Sequence, residues 1–428
     1  MKNSTQFKPT LKLPHVIALY IGAVLGSGIL ILPGLAAEVS GPASLLAWAL
    51  MAVVVVPMAL TIGFLSAKHP NVGGVSHFVS KAFNPHLGSL IGWFFLMSVV
   101  VGAPVLALTG AGYLTTALGL NDAYRLIIAV IILSAGLLTN YYGMKITGQL
   151  QVVVVLTTIA VLIATIAGSL ANINSTNFAP FMPNGWLSVG QAATILFWCF
   201  IGWEAVSHIS EEFENPKREA ILGAVIAAVV ISTIYFMTAF VVVGTHSYGP
   251  NISDVSLIYI IKAYFGQYGA IIAGFAALFI CIAPAIAYIG ATSRLAYSLS
   301  ITGYAPKPLS RLSKYNTPLG GLCFLAVCFT ILLLIFSSRL VSISTLIQIP
   351  NATFILTYLG GCAAGIILLK DNKFGVIISA ISLILTGIIF LFLNWTLLYP
   401  LIITLIWLLF MFKSKKIKFQ NIFQKISR

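Results

Sequence analysis

Charged side chains are scarce in this sequence, and their scarcity excludes a soluble protein of this length. Only 7% of the 428 residues are Asp, Glu, Lys or Arg, whereas 59% are apolar and the mean hydropathy is +1.03. A soluble domain needs roughly a quarter of its residues charged to cover its surface with hydrated groups. Lipid must therefore solvate most of this chain, and we expect an integral membrane protein.

The sequence also lacks the clusters of reactive side chains that enzymes and metal sites use. Its five cysteines and six histidines are scattered, and the apolar runs hold no paired acids, Ser/Lys dyad or His-Glu-x-x-His helix. A phosphate-binding Gly-x-x-x-x-Gly-Lys-Ser/Thr loop, which ATP hydrolysis of the usual kind requires, is missing as well. We therefore expect no enzyme, no metal and no cofactor, and a proton or sodium gradient as the energy source.

Apolar runs recur along the whole chain, each long enough to cross a hydrocarbon core of about 30 Å as a helix. The predicted spans are 14–36, 43–66, 86–117, 124–142, 147–169, 188–210, 219–243, 267–300, 319–336, 341–368, 374–392 and 397–412. The longest connections, near 171–187, 244–266 and 302–318, are too short to bury a core of their own. The sequence thus predicts an all-α integral membrane protein with twelve transmembrane helices.

The placement of the basic residues explains the net charge of +14 without a nucleic-acid partner. If both termini are cytoplasmic, the inner segments collect most of the Lys and Arg residues, and the outer segments keep only Arg125, Lys262 and Arg339. This asymmetry is the one that the positive-inside rule describes. Both termini can be cytoplasmic only if the chain crosses the membrane an even number of times. The basic tail 413–428 suits a helix lying on the anionic inner leaflet or, equally, a frayed cytoplasmic end.

Two predicted spans contain residues that a plain membrane helix avoids. In span one a Gly-Ser-Gly triplet at 26–28 precedes Pro33, and in span six Gly202 lies close to Glu204. Glycines also serve helix packing. An unpaired backbone group in hydrocarbon, however, costs several kcal/mol, so an interruption is tolerated only where it lines a cavity or a ligand. We expect helices one and six to be discontinuous.

The two interruptions lie five helices apart, which predicts two inverted repeats. Because five is odd, the second unit must start from the opposite side of the membrane. We expect residues 1–170 to form the first five-helix repeat, 171–370 the inverted second, and 371–412 two additional helices. Two six-helix halves are the alternative, although the link at 211–218 is short for that arrangement.

The unwound segments predict a site for a free amino acid. The amides of Ser27, Gly28 and Ile29 begin a half-helix, and free N–H groups at the positive end of a helix dipole bind carboxylates. Carbonyls freed at Val24 and at 198–201 are acceptors for an ammonium group. Neither end of the ligand needs a buried charged side chain, which matches the scarcity of charge in these spans.

Glu204 is the acid that the sequence places deepest in a predicted span, and His208 follows one helical turn later. Intramembrane carboxylates are costly and are therefore functional candidates. Glu204 either carries a proton or braces the unwound backbone by accepting hydrogen bonds. His208 either takes part in coupling or packs at a helix interface.

Several of these segments resemble hallmark segments of the amino acid–polyamine–organocation superfamily. They are Gly26-Ser27-Gly28-Ile29, the run from Phe197 to Ala205, Glu214 to Arg218, and Tyr288 to Arg294 leading to Pro306. Gly73 to Val79 and Phe197 to His208 are similar to the bacterial exporters of methionine and branched-chain amino acids. The resemblance implies a LeuT-like fold in a bacterial inner membrane, with substrate between spans one, three, six and eight.

The resemblance further implies export of L-methionine, leucine, isoleucine and valine by alternating access, by a monomer or a homodimer. The alternative is an uptake permease or exchanger of the same superfamily with a different substrate. A membrane-embedded enzyme and a nutrient receptor fit the sequence less well, because the motifs that the one needs and the soluble domain that the other usually has are absent from it. A channel would be distinguished by flux that never saturates.

The resemblance also implies roles for individual residues. The expected substrate-binding residues are Val24, Gly26, Ser27, Gly28, Ile29, Ser98, Val99, Ala103, Trp198, Ile201, Gly202 and Tyr288, and the expected coupling or gating residues are Trp198, Glu204 and His208. Ala103 replaces an asparagine of the arginine–agmatine antiporters, which implies an apolar pocket. Thr158 stands where some proton-coupled relatives carry a lysine, so proton coupling by that route is not expected.

Overall fold

The computed structural model describes residues 12–69, 74–143, 148–203 and 214–426, and its regular elements in these ranges are helices. The fourteen α-helices of these ranges are α1 (Leu13–Val24), α2 (Gly28–Ser40), α3 (Ser44–Lys68), α4 (Gly74–Ala82), α5 (Pro85–Leu118), α6 (Asp122–Tyr141), α7 (Gly148–Ser169), α8 (Gly185–Leu196), α9 (Pro216–Gly244), α10 (Ser256–Ile301), α11 (Leu319–Ser337), α12 (Ile343–Leu368), α13 (Lys373–Phe390) and α14 (Leu398–Ile426).

Ten helical runs in the described part of the chain are long and apolar enough to cross a membrane, and α2 and α3 together form one of them. Two shorter apolar helices, Leu13–Val24 and Gly185–Phe200, lie in predicted spans one and six. The prediction of an all-helical, multi-pass membrane protein is confirmed. The count of twelve crossings and the division into repeats stay predictions.

The chain leaves the helical path between α1 and α2, inside predicted span one. Leu25 has φ −76° and ψ 77°, and the amide of Gly26 donates to the carbonyl of Val24 at 2.8 Å. These values are typical of an inverse γ-turn, which closes three residues instead of continuing the α-helical ladder. The interruption therefore lies at the Gly-Ser-Gly triplet, where the sequence predicts it.

A second interruption follows α8, inside predicted span six. A 3₁₀ turn spans Phe197–Phe200, the backbone becomes extended at Ile201, and Gly202 has φ +128°. Only glycine adopts this conformation readily. A side chain at Gly202 would also collide with the carbonyl oxygen of Ala23 in α1. The two breaks thus contact each other through backbone.

The structure corrects the sequence prediction in two connections. The short helix α4 lies between predicted spans two and three, with Val75, Phe78 and Val79 buried. The predicted outer loop 244–266 contains the beginning of α10, which Gly266 divides at a kink with φ +69°. Hydropathy missed both segments because each is too short to register as a membrane span.

Helix α5 lies near the centre of the bundle and packs along α10 and α12, while α3 packs along α9. Helix α1 contacts α9, and α2 contacts α8. The two breaks are therefore enclosed by long, mostly buried helices. By contrast, α14 exposes Leu401, Leu405 and Leu409, as expected of a helix that faces lipid.

Candidate functional site

A cavity with about 510 Å³ of empty space lies at the two breaks. Its walls are formed by Ala23, Val24, Gly26, Ser27, Gly28, Ser98, Val99, Gly102, Ala103, Leu106, Trp198, Ile201, Pro284, Tyr288 and Phe354. None of these lining side chains is charged. A charged group on a ligand in this cavity would therefore have to bind to backbone groups.

Most of the predicted substrate-binding residues come together in this cavity. The exceptions are Ile29 and Gly202: Ile29 is fully buried in the first turn of α2, and Gly202 packs against Ala23 of α1. Glu204 and His208 lie outside the described residues. That the lining residues bind substrate stays a prediction.

The end of the cavity at span one presents the start of a helix. Helix α2 begins at Gly28, and its N-cap residue Ser27 makes no side-chain capping hydrogen bond. The first N–H groups of any helix have no acceptor within that helix, and the dipole gives this end a partial positive charge. This wall can therefore bind a carboxylate without a basic side chain.

The indole of Trp198, which belongs to the 3₁₀ turn of the second break, packs between the start of α2 and helix α5. An added Cβ at Gly28 would lie 2.9 Å from Cδ1 of the indole, and one at Gly102 would lie 2.7 Å from its Cη2. The ring also meets Phe354 edge to face, with centroids 6.0 Å apart. The missing side chains of the two glycines thus make the space that the indole occupies.

Apart from Ser98 and Tyr288, the remaining lining side chains are apolar. Leu106 and Phe354, which the sequence analysis missed, line the cavity beside Val99. The hydroxyl of Ser98 donates to the carbonyl of Phe94 at 2.8 Å and lies 2.6 Å from the hydroxyl of Thr353, and Ser98 is fully buried. The Ser98 hydroxyl therefore has hydrogen-bond partners in α5 and α12 and needs none inside the cavity.

The carbonyl groups at the breaks have a partner that the sequence analysis also missed. The Tyr235 hydroxyl lies 3.0 Å from the carbonyl oxygen of Val24 and 3.3 Å from that of Cys199. A phenol has one proton to donate, so it cannot fully satisfy both oxygens. The ring packs edge-on against Trp48 and Phe200 at 5.6 and 5.3 Å. A buried tyrosine usually has a hydrogen-bond partner, which was the available signal.

Helix α12 supports the break in span six from the other side. The side-chain amide of Asn351 donates to the carbonyls of Thr194 and Ile195 at 2.9 and 3.0 Å. Further along, the amide of Gly202 donates to the hydroxyl of Tyr358 at 3.4 Å. The end of α8 leaves carbonyls without their helical donors, and Asn351 supplies replacements.

The two ion pairs among the described residues lie at opposite ends of the bundle. Arg125 and Asp254 are 2.7 Å apart, and their side chains are only 14% and 19% exposed. Lys68 pairs with Asp371, which is 70% exposed, and this hydrogen bond holds the pKa of the Asp371 carboxyl below its ordinary value. Within the described ranges, no group of three or more His, Cys, Asp or Glu residues is placed to hold a metal ion.

The sequence model of the amino acid permease family matches residues 11–422. YecA of Bacillus subtilis, which is named an uncharacterized amino acid permease, is 34% identical over 387 residues, which cover 90% of this chain and 91% of that protein. The L-methionine/branched-chain amino acid exporter YjeH of Escherichia coli is 29% identical over 409 residues, with coverage of 94% and 96%. The branched-chain amino acid permease BcaP of Lactococcus lactis is 24% identical over 375 residues, with 79% of each chain covered.

Proposed function

This chain belongs to the amino acid permease family, whose members are transporters and not enzymes, and on that premise we propose a secondary active transporter of small neutral amino acids. Its proposed substrates are L-methionine, leucine, isoleucine and valine, and its proposed direction is export. The observation that carries the proposal is an apolar cavity placed between a helix start and a set of freed carbonyls.

In the proposed binding mode, the two ends of a zwitterion meet different backbone groups. The carboxylate accepts hydrogen bonds from the amides at Ser27, Gly28 and Ile29, and the ammonium group donates hydrogen bonds to carbonyls at Val24 and at 198–201. The Val24 carbonyl already accepts from Gly26 and Tyr235. A carbonyl oxygen has two lone pairs, so the ammonium binds there only when the Tyr235 proton moves to Cys199.

The substrate's side chain lies among apolar groups in this proposal. Val99, Ala103, Leu106 and Phe354 offer no polar partner to a charged or hydroxylated side chain. Such a pocket separates neighbouring aliphatic side chains by only about 1–3 kcal/mol, so several substrates are accepted. The names of YjeH and BcaP, both of which refer to branched-chain amino acids, support this substrate class.

The alternative is an uptake permease or exchanger with a different substrate. YjeH is named an exporter and BcaP a permease, so the relatives differ in the direction that their names give. Alternating access is reversible, and the gradients across the membrane determine the direction of net flux. We favour export because the similarity to YjeH extends over nearly the whole of both chains.

Helix packing supports the proposed inverted repeats. We assign α1 to α7 to the first repeat and α8 to α12 to the second, with α13 and α14 additional. The contacts of α1 with α7 and α9 then have counterparts in those of α8 with α12 and α3. Likewise, α5 contacts α6 and α12 as α10 contacts α11 and α7. This assignment corresponds to twelve crossings, and both termini lie in the cytoplasm of a bacterial inner membrane.

We propose that a proton or sodium gradient drives transport, with no cofactor and with a monomer or homodimer as the assembly. In α7 the Thr158 hydroxyl donates to the carbonyl of Val154 at 2.8 Å and is fully buried. A threonine there cannot carry a proton as a lysine does. Glu204 and His208 are the candidates for a proton carrier, and a sodium site is the other possibility.

Counterflow in proteoliposomes tests the substrate class. Vesicles loaded with unlabelled leucine or methionine should take up the labelled amino acid with saturable kinetics, while pH and sodium are varied separately. Saturable exchange of cationic or polar amino acids alone would overturn the substrate proposal. Export is tested in cells fed a leucine-containing dipeptide, because cells that express the protein should accumulate less free leucine. Equal or greater accumulation would favour uptake.

A further inference from the structure

The cavity at the breaks is closed on its predicted outer side, where α2 and α5 meet. Both helices line the cavity, α2 at Gly28 and α5 as far as Leu106. Further outward, the Tyr113 hydroxyl of α5 donates a hydrogen bond to the carbonyl of Leu30 in α2, and both residues are buried. An outward route between these two helices therefore opens only if α2 and α5 move apart.

A short segment between α9 and α10 covers the outer half of α2. The 3₁₀ turn Ser253–Val255 packs along α2, and Gly34 lies so close to the backbone of Ser253 that a Cβ there would overlap it. The turn is closed on itself, because the Ser253 hydroxyl accepts from the amide of Gly249 at 2.9 Å and donates to its carbonyl at 3.0 Å. The carboxylate of Asp254 thus belongs to a segment that is fitted tightly to α2.

Arg125 lies on the opposite side of this contact, near the start of α6. Its Nε donates to the carbonyl of Leu108 in α5 at 3.0 Å, and its guanidinium fills the space over Gly112, where an added Cβ would lie 2.7 Å from Cζ. Its Nη2 donates to Oδ2 of Asp254 at 2.7 Å, and the two side chains are only 14% and 19% exposed. This ion pair therefore connects α5 and α6 to the segment that covers α2.

We propose that Arg125 and Asp254 are positioning residues of the transport cycle, which hold the outer side closed and so give the inner side the higher apparent affinity for substrate. Separation of α2 from α5 moves Asp254 away from Arg125, so the pair stabilises the closed state alone. A substrate outside binds only to the open fraction of the protein, and its apparent Kd rises as that fraction falls. The inference rests on the proposed function, and it favours the loading from inside that export requires.

A pair that only stabilises the fold would behave differently from a pair that controls access. Loss of a purely structural pair lowers the amount of folded protein and leaves the KM the same from both sides. Loss of Arg125 from the proposed pair leaves the Asp254 carboxylate buried without a partner in the closed state, whereas separation of the helices lets water hydrate it. The balance between the two states then shifts, and the KM changes in opposite directions on the two sides.

The KM for leucine, measured from each side of the membrane, tests the proposal. Right-side-out vesicles from expressing cells give the external KM in exchange for leucine loaded inside, and inverted vesicles give the internal KM. In Arg125→Gln the external KM should fall at least about threefold and the internal KM should rise. Asp254→Asn, which keeps the shape of the side chain, should act in the same direction, and the double variant should shift the KM by less than the two single effects combined. Lys68→Gln, which breaks the exposed pair at the other end, should not lower the external KM.

A labelling experiment tests the closure without relying on transport. Thr109 is fully buried and lies on the face of α5 that carries Leu106 and Tyr113. In right-side-out vesicles, a membrane-impermeant maleimide should label Thr109→Cys at least about threefold faster when Asp254→Asn or Arg125→Gln is added, after subtraction of the labelling of the native cysteines.

Two results would overturn the proposal. They are an external KM that stays the same or rises in both Arg125→Gln and Asp254→Asn, and a labelling rate of Thr109→Cys that neither substitution raises. If Arg125→Gln does not insert, Asp254→Asn decides both measurements. Absence of leucine counterflow in the wild type, together with faster labelling in the variants, would count against the proposed function and leave the closure by the ion pair standing.

Discussion

The two helix breaks meet at one cavity, but the protein stabilises them in different ways. The break in span one is a tight turn, after which α2 begins with Ser27 and Gly28 in the cavity wall. The break in span six is held by side chains of other helices, namely Tyr235, Asn351 and Tyr358. The start of α2 therefore presents donors, whereas the end of α1 and the break in span six present partly satisfied acceptors, and this arrangement orients a zwitterion in one direction.

The largest effect should come from filling the break in span one. In Gly28→Leu, the new side chain starts 2.9 Å from the Trp198 ring and 3.0 Å from the Cys199 sulfur, so it displaces the indole into the cavity. We expect leucine counterflow to disappear while the protein still inserts and purifies. Gly387→Leu is the control, because no atom lies within 4 Å of the position of its Cβ. Normal transport by Gly28→Leu would remove span one from the site.

A substitution at the acceptor end of the site should have a smaller effect, and this effect should concern the ammonium group and not the carboxylate. Tyr235→Phe keeps the ring packing against Trp48 and removes only the hydroxyl that joins the two breaks. The hydroxyl bridges the carbonyls of Val24 and Cys199 and so fixes their positions. Its loss frees a lone pair on Val24 but leaves the acceptor end less preorganised. We expect the second effect to be larger, so that the KM for leucine rises about tenfold, which corresponds to about 1.4 kcal/mol.

A ligand without an ammonium group provides the contrast for Tyr235→Phe. The inhibition constant of 4-methylpentanoate, which has the carboxylate and the apolar chain of leucine, should stay the same. Equal losses for leucine and 4-methylpentanoate would mean that Tyr235 acts on the whole cavity and has no selective role at the acceptor end.

The side-chain part of the cavity should respond more weakly still. Gly102→Ala adds a methyl group 2.7 Å from Cη2 of Trp198 and so narrows the cavity from the side of α5, away from the backbone groups of the breaks. Overpacking of this kind costs roughly 1–3 kcal/mol when neighbours cannot move. We expect the KM to rise more for leucine and methionine than for valine. An equal rise for all three would place the substrate side chain elsewhere.

The smallest effects are expected at the two ion pairs, which lie at opposite ends of the bundle and differ in burial. The Arg125–Asp254 pair is largely buried, so Arg125→Ala leaves a carboxylate without its partner and should lower thermal stability clearly in detergent. The Lys68–Asp371 pair is exposed, and exposed pairs contribute little. Lys68→Ala should shift the unfolding temperature less than Arg125→Ala does, and the reverse order would contradict the assignment of burial.

The exposed pair also has a defined pH dependence. Because its pKa is lowered in the folded protein, Asp371 stabilises the fold above the ordinary carboxyl pKa and loses that contribution as the pH falls through the lowered value. His69 is the neighbouring group that titrates near neutral pH, and its pKa is lowered mainly by burial and also by Lys68, whereas Asp371 raises it. A free carboxyl stays ionised between about pH 8 and pH 5. In a His69→Asn background, the difference in unfolding temperature with and without Lys68→Ala should therefore stay constant over this range. A difference that disappears in that background would point to a further titrating group.

The sequence predicts the membrane helices and the first break well because both depend on local signals. The length of an apolar run shows whether the segment can cross the membrane as a helix. The triplet at 26–28 followed by Pro33 indicates an unwound backbone. The supports of the breaks were missed because they join residues far apart in the chain, such as Val24 with Tyr235 and Thr194 with Asn351. No periodicity in one sequence encodes such pairs, and a buried Tyr or Asn announces only that some partner exists.

A structure determined with bound leucine is the most direct test of the central claim that peptide groups at the breaks hold the charged head of a free amino acid. We predict carboxylate oxygens about 2.7–3.2 Å from the amides that begin α2, and the ammonium nitrogen near the carbonyls of Val24 or 198–201. Leucine bound elsewhere, or helices one and six continuous across an empty bundle centre, would contradict the account.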